Sequence, residues 1–308
     1  MNNKKIIITG INGFVGKNFL NVLKKLSPDS QVYGVDRKFG KTDDFTSIKC
    51  DLTEKESVKS MLTEVLPDYI FHFAGTAFDK EWNNLLNGNV NSTLSLLESV
   101  VELGLNPRIV SIGSASEYGN ISPADIPVDE SIALNPASPY GASMCCRTNI
   151  ALAFMNMGCD ISIGRVFNIT GHGVSEKSPV GSFAKQIVIV ENGELDVIHT
   201  GNLDPVRDFV DIMDIAGAFY DLALKGKTRG IYNICSGNPH SIKEILDILS
   251  NLSTHQIKIS MDPALIRQKD ISIIYGNNHK IKNDIGWSPS VSLEESLNQT
   301  LGFYRENL

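Results

Sequence analysis

Short apolar runs rich in β-branched residues alternate along the first half of the chain with longer stretches whose apolar positions recur every three or four residues. The runs Ile6–Thr9, Gln31–Val35, Ser47–Cys50, Tyr69–Phe73, Arg108–Ile112 and Ile161–Val166 predict strands. Between them, Phe14–Leu26, Glu54–Val65, Leu85–Leu103 and Tyr140–Met157 carry helical spacing. Strand alternating with helix predicts an α/β fold on a doubly wound parallel sheet, because a parallel crossover needs a helix and those helices cover both faces. From Gly171 to about Pro205 the pattern breaks into Gly-, Ser- and Pro-rich loops around one helix near Ser182–Glu191. Beyond it, Ile242–Leu252 and Leu293–Tyr304 are amphipathic again. The expected division is a nucleotide-binding domain, residues 1–167 plus about 205–232, and a smaller α/β C-terminal substrate domain, about 168–204 plus 233–308.

The 308 residues fit one large domain or two interlocked ones, and a hydrophobic fraction of 42% suffices for a substantial core. With 28 Lys and Arg against 35 Asp and Glu the formal charge is −7, which argues against nucleic acid or an anionic membrane as a partner. No apolar run is long enough to span a bilayer, and Ile6–Ile8 is too brief for a signal-peptide core. Five cysteines without metal-ligand spacing read as reduced thiols, so the expectation is a cytoplasmic protein with no metal site.

The first strand runs into Gly10-Ile11-Asn12-Gly13-Phe14-Val15-Gly16 and then a helix. Glycines at spacing three permit a tight turn, close backbone approach to a pyrophosphate, and close helix–strand packing, as in a Rossmann dinucleotide site. The helix N-terminus adds N–H groups and a favourable dipole. Asp36 ends the next strand 20 residues after Gly16, placed to accept hydrogen bonds from ribose hydroxyls and to favour NAD. Arg37 beside it could hold a 2′-phosphate, so NAD(H) and NADP(H) both stay open. Asp51 and Leu52 suit the adenine, and Phe73, Ala74 and Gly75 suit close packing on the dinucleotide. A glycine-rich turn without a ligand is the plainer alternative.

A strand ending Ser111-Ile112-Gly113-Ser114-Ala115-Ser116-Glu117-Tyr118-Gly119, followed by Ser138-Pro139-Tyr140-Gly141-Ala142-Ser143-Met144 opening a helix, resembles the extended short-chain dehydrogenase/reductase family acting on nucleotide sugars. The similarity covers essentially the whole chain. It implies that Tyr140 is the general acid toward a substrate oxygen, that Tyr140 also contacts the cofactor, and that Ser114 hydrogen-bonds the same oxygen. The family's Tyr-x-x-x-Lys lysine, which tunes the tyrosine and holds the nicotinamide ribose, is Met144 here. Three outcomes stay open: a cation from elsewhere, such as Arg147 or the nicotinamide itself, substitutes; the enzyme is slow or works at high pH; or the site binds without turnover.

Family members that eliminate water carry a carboxylate pair just after the Ser/Thr, where this chain has Ala115 and Ser116. Glu117 is displaced by one residue, which on a strand would turn it to the other face. The resemblance therefore implies simple hydride chemistry: a 4-keto reductase, or an epimerase with bound NAD. Arg165-Val166-Phe167-Asn168 with Gly171-His172-Gly173, and Gly201 to Phe209, resemble segments of the GDP-mannose dehydratase and GDP-4-keto-6-deoxymannose reductase subgroup, as does Asp262 to Asp270. That subgroup implies a GDP-linked 4-keto-6-deoxy sugar substrate, with Ser114, Ser116, Asn168, Lys185, Arg207, Arg267 and Asp270 as its contacts, and a homodimer. The guanidinium fork suits phosphate. Structural ion pairs for the arginines, a core role for His72 and packing for Trp287 are the bland readings.

Overall fold

The computed structural model describes residues 1–39, 43–266 and 271–308. Seven parallel strands form the main sheet: β1 (Lys5–Thr9), β2 (Gln31–Asp36), β3 (Thr46–Lys49), β4 (Tyr69–His72), β5 (Arg108–Ser114), β6 (Ile161–Val166) and β10 (Ile231–Ile234), in the order β3-β2-β1-β4-β5-β6-β10. The six expected strands are all present. The seventh, Ile231-Tyr232-Asn233-Ile234, escaped the sequence pattern because it is short and carries a buried asparagine at its centre. Asn233 is satisfied there, accepting from the Tyr118 hydroxyl at 2.7 Å and donating to the Val128 carbonyl at 3.0 Å.

Helices cover both faces. On one side lie α1 (Phe14–Leu26), α7 (Ile212–Lys225) and α9 (His279–Ile285). On the other lie α2 (Lys55–Val65), α4 (Ser92–Glu102) and α5 (Pro139–Asn156), preceded by the single turn α3 (Trp82–Leu85). The stretch expected as one helix over Leu85–Leu103 contains a π-helical turn at Leu86–Asn91 between α3 and α4. The sheet's central strands are buried on both faces, as Ile6, Ile7, Ile8, Ile70 and Phe71 show.

The remaining elements build beyond the C-terminal end of this sheet. Strand β9 (Val206–Asp211) pairs antiparallel with β11 (Pro239–Ser241) and parallel with β7 (Asn168–Thr170) and β13 (Ile273–Ile274). A two-stranded pair joins β8 (Ile198–Thr200) to β12 (Ile259–Met261). Helices α6 (Pro179–Glu191), α8 (Ile242–Asn251) and α10 (Leu293–Asn307) enclose a separate core of Ile187, Ile245, Leu246, Leu249, Leu297 and Leu301. Helix α6 starts three residues before its expected limit because Ser178 caps it and Pro179 occupies its first turn. Phe14, at the start of α1, packs against this second core. No described helix is long and apolar enough to cross a membrane.

Two buried carboxylates fasten the loops. Asp208 accepts from the N–H groups of Ser236, Gly237 and Gly276 and from the Ser236 hydroxyl, tying β9 to the turns after β10 and β13. Asp214 on α7 accepts from Ser290 and Val291, and its carbonyl receives the buried Trp287 indole N–H at 3.1 Å, so Trp287 is a packing residue. Truncating Asp214 removes three hydrogen bonds to a buried carboxylate; their donors on exposed Ser290 and half-buried Val291 can turn to water, so the loss is the net worth of the bonds, roughly 1–2 kcal/mol in all. Asp214→Ala is therefore expected to lower unfolding stability by about 1–2 kcal/mol, read as a reduced urea midpoint at unchanged slope.

Candidate functional site

A parallel sheet brings all its C-terminal strand ends to one edge, and the strand order reverses between β1 and β4, the place where ligands bind in doubly wound sheets. Gly10 follows β1 with φ +68°, and a Cβ there would lie 2.7 Å from the Ala74 nitrogen. A Cβ on Gly16 would lie 2.3 Å from the Gly10 carbonyl oxygen. Only glycine lets the turn, α1 and the β4 loop come this close. Gly13 is the N-cap of α1; no side chain among the described residues caps the helix and no acidic residue sits in its first turn. Phe14, Val15 and Gly16 thus offer backbone N–H groups that the helix itself cannot pair, a cradle for a pyrophosphate.

The other expected cofactor contacts lie along the same edge. Asp36 ends β2, accepting from the Arg37 N–H at 2.8 Å and the Asn12 N–H at 3.3 Å. Arg37 is exposed beside it. Asp51 follows β3; its hydrogen bonds from the Thr53 N–H and hydroxyl, and the nearby Arg37 charge, hold its carboxyl below the usual range. Leu52 is buried in the core behind it. These residues, the glycine turn and Phe73-Ala74-Gly75 after β4 match the shape of a dinucleotide site.

A chain of hydrogen bonds fixes the β4 loop. Thr93 donates its hydroxyl proton to the Asn89 carbonyl at 2.7 Å, so it accepts from His72 Nε2 at 3.0 Å. That leaves Nδ1 as acceptor for the Thr9 hydroxyl at 2.8 Å, and Thr9 Oγ1 accepts from the Ala74 N–H at 3.2 Å. His72 is neutral, held well below its ordinary pKa by burial and by the Arg147 charge. It is a core residue with both nitrogens satisfied. Asn89, in the π-helical turn, accepts from the Thr76 N–H and donates to the Thr76 carbonyl and to Ser143 Oγ. The sequence pattern passed over this residue; its signal was a polar side chain on an apolar stripe, four residues from both Leu85 and Thr93.

Ser114 ends β5, and Tyr140 opens α5 opposite it. The two come together because Gly141 seats the first turn of α5 on the backbone of Ser116: a Cβ at 141 would lie 2.4 Å from the Ser116 carbonyl oxygen. Burial pushes the Tyr140 phenol up, while the Ser114 hydroxyl beside it and the Arg147 charge pull it down. Ser116 is partly exposed, its N–H bonded to Ser114 Oγ at 3.2 Å. Met144 is buried, 2% exposed, and carries no charge into the site.

Glu117 departs from its expected placement. Residues Ala115–Glu117 form a 3-10 turn, so strand alternation does not decide where its side chain goes. Its carboxylate is wholly buried, accepting from the Ser114 N–H at 2.8 Å and from Arg165 Nε at 3.0 Å. Burial raises its pKa, and the Arg165 charge opposes that shift. Arg165 also lies over the Tyr118 ring, 5.0 Å from its centroid. Glu117 therefore braces the end of β5 rather than facing a substrate.

The expected substrate contacts spread over the adjoining elements. Asn168 is exposed two residues beyond the end of β6, whose Val166 pairs with Ser114, and its amide donates to the Asp208 carbonyl at 2.9 Å. Arg207, on β9, is partly exposed, one guanidinium nitrogen donating to the Val206 carbonyl at 2.9 Å. Lys185 on α6 is ion-paired with Glu176. Arg267 and Asp270 lie outside the described residues.

Against known proteins, residues 7–300 match the family model described as GDP-mannose 4,6 dehydratase. The chain is 27% identical over 304 residues to a GDP-6-deoxy-D-mannose reductase of Pseudomonas aeruginosa, covering 97% of this chain and 96% of the relative. It is 30% identical over 285 residues to a GDP-6-deoxy-D-talose 4-dehydrogenase of Aggregatibacter actinomycetemcomitans, covering 92% and 91%. Among solved structures, RMD from Pseudomonas aeruginosa complexed with NADPH superimposes with a TM-score of 0.88 at 25% identity over 99% of this chain and 100% of that one. The glycine cradle, the Ser114–Tyr140 pair and these matches agree: the chain belongs to the GDP-mannose 4,6-dehydratase family of extended short-chain dehydrogenase/reductases.

Proposed function

We propose that this protein is an NAD(P)H-dependent 4-keto reductase of a nucleotide-diphosphate 4-keto-6-deoxy sugar, with GDP-4-keto-6-deoxymannose as substrate. The observation that carries this reading is the Ser114–Tyr140 pair beside a dinucleotide cradle, with the neighbouring Glu117 carboxylate locked to Arg165. Hydride chemistry needs one proton donor at the sugar oxygen; dehydration needs a further acid and base, which Glu117 cannot supply from the interior. The two relatives whose names specify GDP-6-deoxy sugars support the base and the sugar class.

Bound reduced nicotinamide supplies the hydride to sugar C4. Ser114 hydrogen-bonds the carbonyl oxygen and orients it toward Tyr140. Tyr140 gives its phenolic proton to that oxygen, and the phenolate recovers a proton from solvent. Ser116, Asn168, Arg207, Arg267 and Asp270 bind the sugar and the diphosphate, and Lys185 joins them once its pair with Glu176 opens. Asp36 at the ribose position favours NADH, with Arg37 placed to admit NADPH. The two outer faces of α4 and α5 form a homodimer contact: α5 exposes the small, uncharged side chains Cys146, Asn149 and Ala153 on one side. Such a reductase works where reduced nicotinamide is kept, in the cytoplasm.

Four outcomes are expected. The chain oxidises NADH or NADPH with GDP-4-keto-6-deoxymannose faster than with the dTDP-linked analogue. Tyr140→Phe lowers kcat about 10²–10⁴-fold. Interconversion of C4 epimers without net cofactor oxidation would make the protein an epimerase instead. Gly16→Ala forces α1 off the glycine turn and weakens NADPH binding at least about tenfold, read by quenching of cofactor fluorescence. Ala153→Glu buries two like charges at the dimer contact and gives a monomer by light scattering.

A further inference from the structure

Helix α5 holds two charged or ionisable side chains on one buried face, Tyr140 and Arg147, seven residues apart. Seven residues at 3.6 per turn return a helix to nearly the same direction, so both side chains point toward the sheet edge. Arg147 is 1% exposed, the largest fully buried side chain among the described residues. Its Nη1 donates to the Ala74 carbonyl at 2.7 Å, its Nη2 to the His72 carbonyl at 2.5 Å and its Nε to Ser111 Oγ at 3.3 Å. All three partners are neutral. No carboxylate among the described residues forms an ion pair with it.

That lack of a counter-ion is unusual, because a buried charge left without one is strongly unfavourable unless its hydrogen bonds are met. The one buried carboxylate nearby, Glu117, is taken by Arg165 at 3.0 Å. The set of Glu117, Arg165 and Arg147 therefore carries a net charge of +1, and that charge belongs to Arg147. His72 on β4, whose carbonyl Arg147 grips, is neutral, and the Cys145 thiol, which lies against the Glu117 carbonyl, is pushed up to about 11 by burial, so neither adds charge at neutral pH. Burial lowers the Arg147 pKa only to about 10, so the guanidinium stays charged.

We propose that Arg147 supplies the positive charge that a lysine at position 144 would have supplied, acting on Tyr140 from two helical turns away while it clamps the loop after β4. It is a positioning residue: it touches neither substrate oxygen nor the transferred proton, and it works through Tyr140 and the Ala74 backbone. The charge favours the phenolate left when Tyr140 has given up its proton, and it opposes the upward shift that burial and the Glu117 charge impose. Met144 can be apolar because the cation has moved deeper into the same helix. The ribose-holding part of the lysine's work is not carried over, since the guanidinium is spent on the β4 loop.

The inference rests on the reductase reading, and the test separates the two. The Tyr140 phenol is titrated by ultraviolet difference absorbance against Tyr140→Phe, with the cofactor bound and no substrate present. Natural protein and Arg147→Lys are expected to titrate together, and Arg147→Gln about one to two pH units higher. In the reducing direction Tyr140 must be protonated, so the alkaline fall of kcat moves to higher pH by the same interval in Arg147→Gln. A phenol that titrates at one pH in all three proteins overturns the proposal. Should Arg147→Gln not fold, Met144→Lys decides: a change in kcat of less than about threefold is expected if the charge is already present, and a rise of tenfold or more overturns it. Loss of the reductase reading would show as no turnover in any variant, with the titration shift intact.

Discussion

Parallel pairing between β1 and β4, at the point where the strand order reverses, is the constraint on which the rest of the structure depends. It sets Thr9 against His72, and every later feature is built on that register. The Thr9–His72–Thr93 hydrogen-bond chain runs across it, the Ala74 amide hangs from it, and the glycine turn after β1 presses against the loop after β4. A slip of one residue would turn His72 out of the core and pull the β4 loop from the glycines.

Buried polar groups around this junction are satisfied almost entirely by neighbours from other elements. Asn89 joins the π-helical turn to Thr76 and to α5, Glu117 joins β5 to β6 through Arg165, and Arg147 joins α5 to β4. Asn89 sits in the π-helical turn, a feature often found at functional sites. The site is therefore held by backbone carbonyls and short polar side chains on rigid elements, which is what a reaction limited by positioning requires.

The sheet was legible in the sequence because its strands are continuous β-branched runs and its helices keep a clear period. β10 was not, because Asn233 interrupts the run and its partner Tyr118 is 115 residues away in sequence. Within the site, Gly10, Gly13 and Gly16 could be read from spacing, since the close backbone approaches there admit only glycine, whereas Ser114 and Tyr140 were named from the family pattern. Glu117 could be ruled out as a dehydration acid, yet for a reason that did not hold: a tight turn and Arg165, 48 residues on, set its direction. Asn89 marks the sequence only as a polar position on an apolar stripe and Ser111 leaves no local mark, because their partners are met only when the chain folds. Arg147 could be named as a cation near Met144, but its lack of a counter-ion depends on Arg165 taking Glu117, which no spacing reveals.

The most direct measurement of the central claim follows the hydride itself. The protein is incubated with GDP-4-keto-6-deoxymannose and reduced cofactor carrying deuterium at the transferring position of the nicotinamide, and the product is examined by mass spectrometry and NMR. One deuterium at sugar C4, in stoichiometry with cofactor oxidised, is the predicted result. Product bearing no deuterium at C4, or intact substrate and cofactor after binding of both, would contradict it.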